Sequence, residues 1–301
     1  MKVFVTGASG FIGSATVREL VGAGHRVVGL ARSDAAAQVV TAAGGEVLHG
    51  ALDDLASLER GAAAADGVIH TAFIHDFTTF AANCAVDQRA IEVLGAALAG
   101  TNRPLVVTSG VLGLASSPGD EDDTPSAGFP RKSEPTALAF VARGVRATCV
   151  RLAPSVHGDG DHGFVPRLIA LARQQGRAIY VGDGSSRWPG VHRFDAATLF
   201  RLAHENGAAG ARFHGVADAG VPTRAIAEVI GRRLNVPVVS VTPEEAGAAL
   251  GFIGHVLAMD AVTSNAKTRA ALGWTPRHVG LLEDLERGTY FDGAVSWPAT
   301  T

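Results

Sequence analysis

Three glycines near the start of the chain form the clearest chemical pattern in the sequence. Gly7, Gly10 and Gly13 follow a run rich in β-branched residues and precede an amphipathic segment, as at a strand-to-helix turn. There the first glycine permits a tight bend, the second lets backbone approach a ligand, and the third allows helix and sheet to pack closely. Free N–H groups of the helix then hold a diphosphate. The sequence predicts a dinucleotide-binding turn made of Gly7, Ser9, Gly10, Phe11, Ile12 and Gly13.

The end of the second predicted strand distinguishes two forms of the dinucleotide. NAD requires a carboxylate there for the ribose hydroxyls, whereas the 2′-phosphate of NADP requires a cation and a hydroxyl group. Arg32 and Ser33 supply the second pair, although Asp34 is near enough in sequence to reach a ribose. The expected cofactor is therefore NADP(H), with NAD(H) as the alternative in which Arg32 is a solvated surface charge.

Short strands and alanine-rich helices must position these residues. Runs rich in β-branched residues predict strands over 2–6, 26–31, 46–49, 67–71, 104–109 and 147–152. Helices are predicted between them over 14–23, 85–98 and 135–143. Continuous apolar runs within these strands are typical of a sheet covered on both faces. The expected fold class is α/β, a Rossmann-type doubly wound parallel sheet.

After residue 154 the pattern loosens, which predicts a small C-terminal α/β lobe. Its helices are expected over 164–175, 195–205, 224–234 and 243–250, with strands over 212–216 and 238–241. The dinucleotide-binding domain is expected to span 1–154, with 190–218 returning to it, and the substrate-binding lobe to comprise 155–189 and 219–301. Turn formers and an acidic run predict an exposed loop over 113–133.

Composition limits the partners of the protein. With 301 residues and a formal net charge of −3, the chain has no basic surplus for nucleic acid or an anionic membrane. It contains no apolar stretch of the roughly 18 residues that a membrane span needs, and it lacks the pattern of a secretory signal. We expect a soluble, cytoplasmic protein that binds a small-molecule substrate, with a homodimer as one expected assembly. Cys84 and Cys149 are predicted to be buried thiols.

Five stretches resemble the extended short-chain dehydrogenase/reductase family, the epimerase/dehydratase-like group. Residues 6–13 match its TGxxGxxG turn, and residues 66–72 are similar to its fourth-strand segment. Residues 106–109 resemble the strand that ends in its active-site serine, 151–158 its RPxxVYG stretch, and 271–276 its LGWxP stretch. The resemblance covers nearly the whole chain.

This resemblance implies cofactor contacts beyond the glycine turn. Around the cofactor ribose it places three residues, Thr71, Ala72 and Phe73. At the nicotinamide carboxamide it places the backbone near Ser155 and Val156. Leu52 would pack on the adenine, although Ala51 stands where the family has an acidic residue for the adenine amine.

The chain departs from this family at the catalytic centre. The family's acid–base pair is Tyr-x-x-x-Lys, in which a cation lowers the phenol pKa so that it can pass a proton to a carbonyl oxygen. The sequence has two tyrosines and three lysines, none with that spacing. The corresponding positions, near 124–126 and 129–130, carry neither residue. We therefore expect an atypical member that lacks the dyad.

Ser109 and His157 are the candidate catalytic residues that remain. Ser109 and the neighbouring Thr108, which we group with the cofactor contacts, can donate hydrogen bonds but do not readily supply a proton at neutral pH. His157 stands where the family has an aromatic residue beside the nicotinamide, and imidazole suits a proton relay; a structural histidine is the alternative. His75 and Asp76 could face the substrate or belong to an ordinary loop. No metal site is expected, because the histidines and aspartates of 157–162 lack helical ligand spacing.

Three functions fit these observations. The first is an NADPH-dependent oxidoreductase that reduces a small or medium apolar carbonyl, imine or activated alkene between the two lobes. A protonated imine carries its own positive charge, so its reduction demands less of a missing tyrosine. The second is a non-catalytic NADP-binding sensor or regulatory protein, which loss of the dyad favours. The third is a sugar-type epimerase or lyase.

Overall fold

A seven-stranded parallel sheet forms the centre of the protein in a computed structural model that describes residues 1–114, 116–126 and 128–292. In chain order, the strands are β1 (Lys2–Thr6), β2 (Arg26–Ala31), β3 (Glu46–His49), β4 (Gly67–His70), β5 (Pro104–Gly110), β6 (Arg146–Leu152), β7 (Ser155–His157), β8 (Ala178–Val181), β9 (Arg187–His192), β10 (Arg212–Gly215), β11 (Asp218–Pro222) and β12 (Val238–Val241).

The helices of the described residues lie between or after these strands. They are α1 (Phe11–Gly22), α2 (Asp34–Ala42), α3 (Leu55–Ala63), α4 (Phe80–Leu98), α5 (Ser133–Leu138), α6 (Phe164–Gln175), α7 (Arg193–Asn206), α8 (Thr223–Leu234), α9 (Pro243–Leu250), α10 (Phe252–Leu257), α11 (Ala266–Leu272) and α12 (Leu281–Arg287). Short 3-10 turns span Phe77–Thr79, Val111–Gly113, Ala139–Arg143 and Thr289–Phe291.

The strand order is β10-β6-β5-β4-β1-β2-β3, so the chain winds outward in two directions from β1 and β4. Helices cover both faces, as the continuous apolar strands predict. Apolar residues of α1 and α7 share one core with the sheet, and those of α3 and α4 share another. The doubly wound α/β prediction is confirmed. Such folds bind ligands where the strand order reverses, which here lies at the carboxyl ends of β1 and β4.

A third apolar core lies in the C-terminal half. It joins α6, α8, α9, α10 and α12 to β8 and β12, which pair with each other, and includes the fully buried Trp188 of β9. Strand β10 belongs to the large sheet, whereas β7, β9 and β11 form a separate three-stranded sheet. The domain boundaries themselves stay a prediction, and residues 293–301 of the predicted lobe lie outside the described residues.

The acidic run predicted to be an exposed loop is docked against α11. Glu121 is only 3% exposed, and its carboxylate accepts hydrogen bonds from the backbone N–H and hydroxyl of Thr268, both at 2.7 Å. Lys267 forms ion pairs with Asp120 and Asp122 at 2.6 Å. Pairing with residues about 145 positions away therefore orders this segment. Residues 115 and 127 of it lie outside the described residues.

Two further observations concern the cysteines and the length of the apolar helices. Cys84 and Cys149 are free and buried, as predicted. Among the described residues, no helix is both long enough and apolar enough to cross a membrane.

Gly61 of α3 tests how tightly helix and sheet pack. A Cβ atom there would overlap the ring of Phe4, which is fully buried. Gly61→Ala is expected to lower the free energy of unfolding by about 1–3 kcal/mol, because the buried ring must move. Gly22→Ala is the control, since its Cβ meets nothing within 4 Å, and it should stabilise α1 by up to about 1 kcal/mol. Urea unfolding would measure both; equal midpoints would contradict this packing.

Candidate functional site

The glycine turn has the geometry that its spacing predicts. Gly7 adopts a left-handed conformation with φ of +68°, and a Cβ atom there would lie 2.7 Å from the backbone nitrogen of Ala72. A Cβ atom on Gly13 would overlap the carbonyl oxygen of Gly7. At Gly10 the space is open apart from that same oxygen, at 3.2 Å. Gly7 and Gly13 thus fit the fold, and Gly10 leaves room for a ligand.

Helix α1 begins at this turn with its amides uncapped by side chains. Gly10 is the N-cap residue in an extended conformation, no side chain caps the helix, and its first turn has no acidic residue. Such a helix start attracts an anion through its N–H groups and its dipole. Ser9, Phe11 and Ile12 are partly exposed around it. The turn therefore fits a diphosphate.

Arg193, which the sequence did not mark as a cofactor contact, adds a cation beside this turn. Its guanidinium lies over the rings of Phe11, at 4.9 Å, and Phe194, at 4.7 Å. Its buried Nε has no hydrogen-bond partner among the described residues. Burial, and the positive charge of Arg18, lower its pKa. A bound anion would satisfy both the unpaired N–H and the charge.

The residues expected at the cofactor's adenosine end lie at the edge of the sheet. Arg32 follows β2 directly and is exposed. Ser33 is the N-cap of α2, where its Oγ accepts a hydrogen bond from Ala36 N at 3.3 Å. Leu52 is half-buried and packs against the core shared with α3. A cation and a hydroxyl group thus stand together beside β1.

A fully buried polar network fixes the ends of β1 and β4. Thr6 Oγ1 bonds to His70 Nδ1 at 2.7 Å, and His70 Nε2 bonds to Asp87 at 3.1 Å. The Thr71 hydroxyl donates to Thr6 O at 2.8 Å. Ala72 contacts Gly7, so the expected ribose segment lies against the glycine turn. Burial raises the pKa of Asp87, but hydrogen bonding and charge from His70, together with Arg131 and Ser133, lower it overall.

Thr108 and Ser109 end the neighbouring strand β5. The Thr108 hydroxyl donates to His70 O at 2.8 Å, so it ties β5 to β4. Ser109 is only 7% exposed. Arg131 Nη2 donates to Thr108 O at 3.0 Å, and its guanidinium lies 4.2 Å over the ring of Phe73. Arg131 thus joins Thr108 of β5 to Phe73, which follows β4, and it directly follows the expected lysine position.

His157 lies in β7, buried, with a partner that the sequence did not suggest. Its Nδ1 bonds to Asp284 at 2.9 Å, and Tyr290 donates to the same carboxylate oxygen at 2.7 Å. Burial opposes ionisation of Asp284, but these hydrogen bonds hold its pKa below the usual value. Because an ionised carboxylate only accepts, His157 Nδ1 carries the proton.

Two buried polar atoms of β7 lack partners among the described residues, His157 Nε2 and Ser155 Oγ. Val156 between them is partly exposed. Unpaired buried groups are costly, so both atoms fit contacts with a ligand or water. His192 stands edge-on to His157, and burial together with His157 lowers its pKa to about 4.

The loop after β7 brings titratable groups toward the glycine turn. The His162 ring contacts Phe11 edge-on at 5.8 Å. Burial, followed by repulsion from Asp284, raises the pKa of Asp161 to about 7. His75 is exposed, yet desolvation by the surrounding protein, followed by the charges of Arg131 and His162, lowers its pKa.

Asp76 has a local role instead, because its carboxylate caps the following turn at Thr78 N, 2.9 Å away. Among the described residues, no group of three or more His, Cys, Asp or Glu side chains is placed to hold a metal ion. His157 and Ser109 share no hydrogen bond within the described part of the chain.

The chain was compared with known protein families and proteins. The model of the NAD dependent epimerase/dehydratase family matches residues 3–216. An uncharacterized protein of Schizosaccharomyces pombe is 49% identical over 296 residues, covering 97% of this chain and 100% of that protein. A 2-alkyl-3-oxoalkanoate reductase of Stenotrophomonas maltophilia is 31% identical over 234 residues, covering 72% of this chain and 69% of that enzyme.

Among solved structures, a dTDP-glucose 4,6-dehydratase from Streptomyces venezuelae with NAD bound has a similar fold. It is 20% identical, with a TM-score of 0.78, and the match covers 97% of this chain and 96% of that one.

Gly10→Ala tests the diphosphate site with little strain. The residue has φ of −73°, which alanine adopts readily, so the fold should persist while the methyl group obstructs the approach of a diphosphate. We expect NADP⁺ to bind about tenfold more weakly or worse, a loss of about 1.4 kcal/mol. Calorimetric titration would measure this, with Gly22→Ala on the same helix as control. Equal affinity in the two variants would exclude the site.

Proposed function

The chain belongs to the NAD-dependent epimerase/dehydratase family, and from this premise we propose that it is an NADPH-dependent reductase of a small or medium carbonyl, imine or activated alkene. The observation that carries the proposal is that the dinucleotide turn lies at the same edge of the sheet as ionisable side chains of the segments that follow β4 and β7. That arrangement lets cofactor and substrate lie side by side.

Different described residues would hold different parts of the cofactor. The glycine turn and Arg193 would bind the diphosphate, and Arg32 with Ser33 the 2′-phosphate. Leu52 would contact the adenine, and Thr71 to Phe73 the ribose. The nicotinamide would lie against Thr108, Ser155 and Val156, where the unpaired Ser155 Oγ offers a hydrogen bond. When bound, the reduced nicotinamide supplies a hydride.

Reduction is supported by the relatives. The Stenotrophomonas enzyme is a 2-alkyl-3-oxoalkanoate reductase, and a ketoreductase of Stigmatella aurantiaca is 29% identical over 229 residues. A non-catalytic NADP sensor is the second candidate, favoured by the missing dyad. The unpaired His157 Nε2 favours an enzyme, because a sensor has no need of a buried imidazole oriented by a carboxylate.

The residues that would protonate the substrate belong to β7 and α12. Asp284 fixes the tautomer and the orientation of His157, and Tyr290 holds Asp284 in place. When both of its nitrogens are protonated, His157 would give the Nε2 proton to the reduced substrate, directly or through one water, keep the Nδ1 proton on its bond to Asp284, and then regain a proton from solvent. Ser109 at the end of β5 would donate a hydrogen bond to the reacting oxygen or nitrogen.

The basic test of the proposal is NADPH consumption on a panel of ketones, imines and enones. A wild-type protein that binds NADPH tightly but consumes it with no member of the panel would favour the sensor.

Arg32→Ala tests the choice of cofactor. Loss of a charged contact to phosphate should weaken NADPH binding by about 10- to 100-fold, because such bonds contribute about 1.5–3 kcal/mol. NADH affinity should stay the same, since NADH lacks the phosphate. The exposed Arg89 of α4 provides the control variant, Arg89→Ala. An equal loss of affinity for NADPH and NADH would show that Arg32 does not contact the 2′-phosphate.

His157→Gln tests the proton relay. We expect kcat to fall about 100-fold or more, the usual contribution of a general acid, while the Kd for NADPH stays within about twofold. Asp284→Asn should give a smaller loss of kcat, because the imidazole remains but loses its fixed tautomer. His278→Gln, whose ring stacks on His192, is the control. Unchanged kcat in a folded His157→Gln protein would make His157 structural.

A further inference from the structure

Arg131 is a rigidly held cation that the family's dyad does not account for. Its Nε donates to Ser133 Oγ at 2.7 Å and its Nη2 to Thr108 O at 3.0 Å, while Phe73 packs under the guanidinium. These contacts come from three segments, which follow β4, end β5 and begin α5. The side chain is 14% exposed. The guanidinium is therefore fixed before any ligand arrives.

Buried Asp87 supports Arg131 but does not neutralise it closely. Its Oδ2 lies 3.8 Å from Arg131 Nε, and among the described residues no other acid is within ion-pair distance of Arg131. Both oxygens of Asp87 already accept hydrogen bonds, one from His70 and the other from Ser133. Asp87 thus positions Ser133, and through it Arg131, more than it pairs with the charge.

Two histidines, His75 and His162, lie near Arg131. Burial lowers the pKa of His75, and the charges of Arg131 and His162 lower it further. Two of the five N–H donors of Arg131 are used by described residues. A planar guanidinium with donors remaining matches a carboxylate in two-point contact.

We propose that Arg131 binds a carboxylate of the substrate, so that the reductase acts on small oxo acids. The inference rests on the proposed function, and it narrows the proposed substrates to carbonyl compounds that carry a carboxylate. Phe73 would contact the carbon atoms next to that carboxylate, and Ser109, which follows Thr108, would stand beside the oxo group.

Binding to the oxidised complex tests the proposal without turnover. Protein saturated with NADP⁺ is titrated calorimetrically with acetoacetate and 3-oxohexanoate, and in parallel with their ethyl esters. We expect the acids to bind at least about tenfold more tightly than the esters, and Arg131→Gln to abolish that difference. Arg131→Lys should retain part of it, because the charge remains without the planar fork.

Arg143→Gln is the matched control, since Arg143 also lies over a phenylalanine ring, that of Phe140 at 4.7 Å, but precedes β6 at the opposite edge of the sheet. Thermal unfolding checks that each variant is folded; if Arg131→Gln is not, Arg131→Lys and the comparison of acid with ester in the wild type decide the question. Equal binding of acids and esters, or equal binding of acids and inorganic phosphate, would overturn the proposal.

A wrong cofactor assignment would give a different result from a wrong assignment of Arg131. If the wild-type protein does not bind NADP⁺, the proposed function fails. The same titrations without nucleotide then still decide whether Arg131 distinguishes acid from ester.

Discussion

The close approach of the glycine turn to the segment after β4 is the constraint on which the rest of the site depends. Gly7 contacts the backbone of Ala72, and Gly13 contacts the carbonyl oxygen of Gly7, at distances that exclude any side chain. This packing aims the start of α1 at the point where the strand order reverses. It also brings the expected ribose segment against the expected diphosphate site, so one steric condition places two adjacent parts of the ligand.

Buried hydrogen bonds connect the ends of β1 and β4 to Arg131. Thr6, His70 and Asp87 form a chain of hydrogen bonds with no solvent exposure, and Ser133 extends it to Arg131 at the cleft. A network of this kind is stable only when each member keeps its partners, because an unpaired buried group loses its hydration without compensation. The polar residues of the cleft are therefore coupled to the core of the sheet.

The sequence predicted the sheet better than the site. The bounds of the six strands predicted in the first half agree with the structure to within one residue, because runs of β-branched residues between alanine-rich segments strongly favour strands. Helix α4 begins five residues before its predicted start, at Phe80, where apolar spacing is weak. Asp284 lies 127 residues from His157 and Asp87 lies 46 from Ser133, so no local pattern linked them. No local pattern marks Arg131 either, because its partner Thr108 lies 23 residues away and it belongs to no motif of the family.

The pairing of His157 with Asp284 and Tyr290 has a consequence for how the protein is made. The glycine turn and the segment after β4 that it contacts are made early relative to α12, because both precede β5 in the chain. His157 acquires its carboxylate only when α12 and the turn after it emerge, since Asp284 lies 127 residues further along the chain. The part of the nucleotide site around the glycine turn is therefore synthesised long before the imidazole can be oriented.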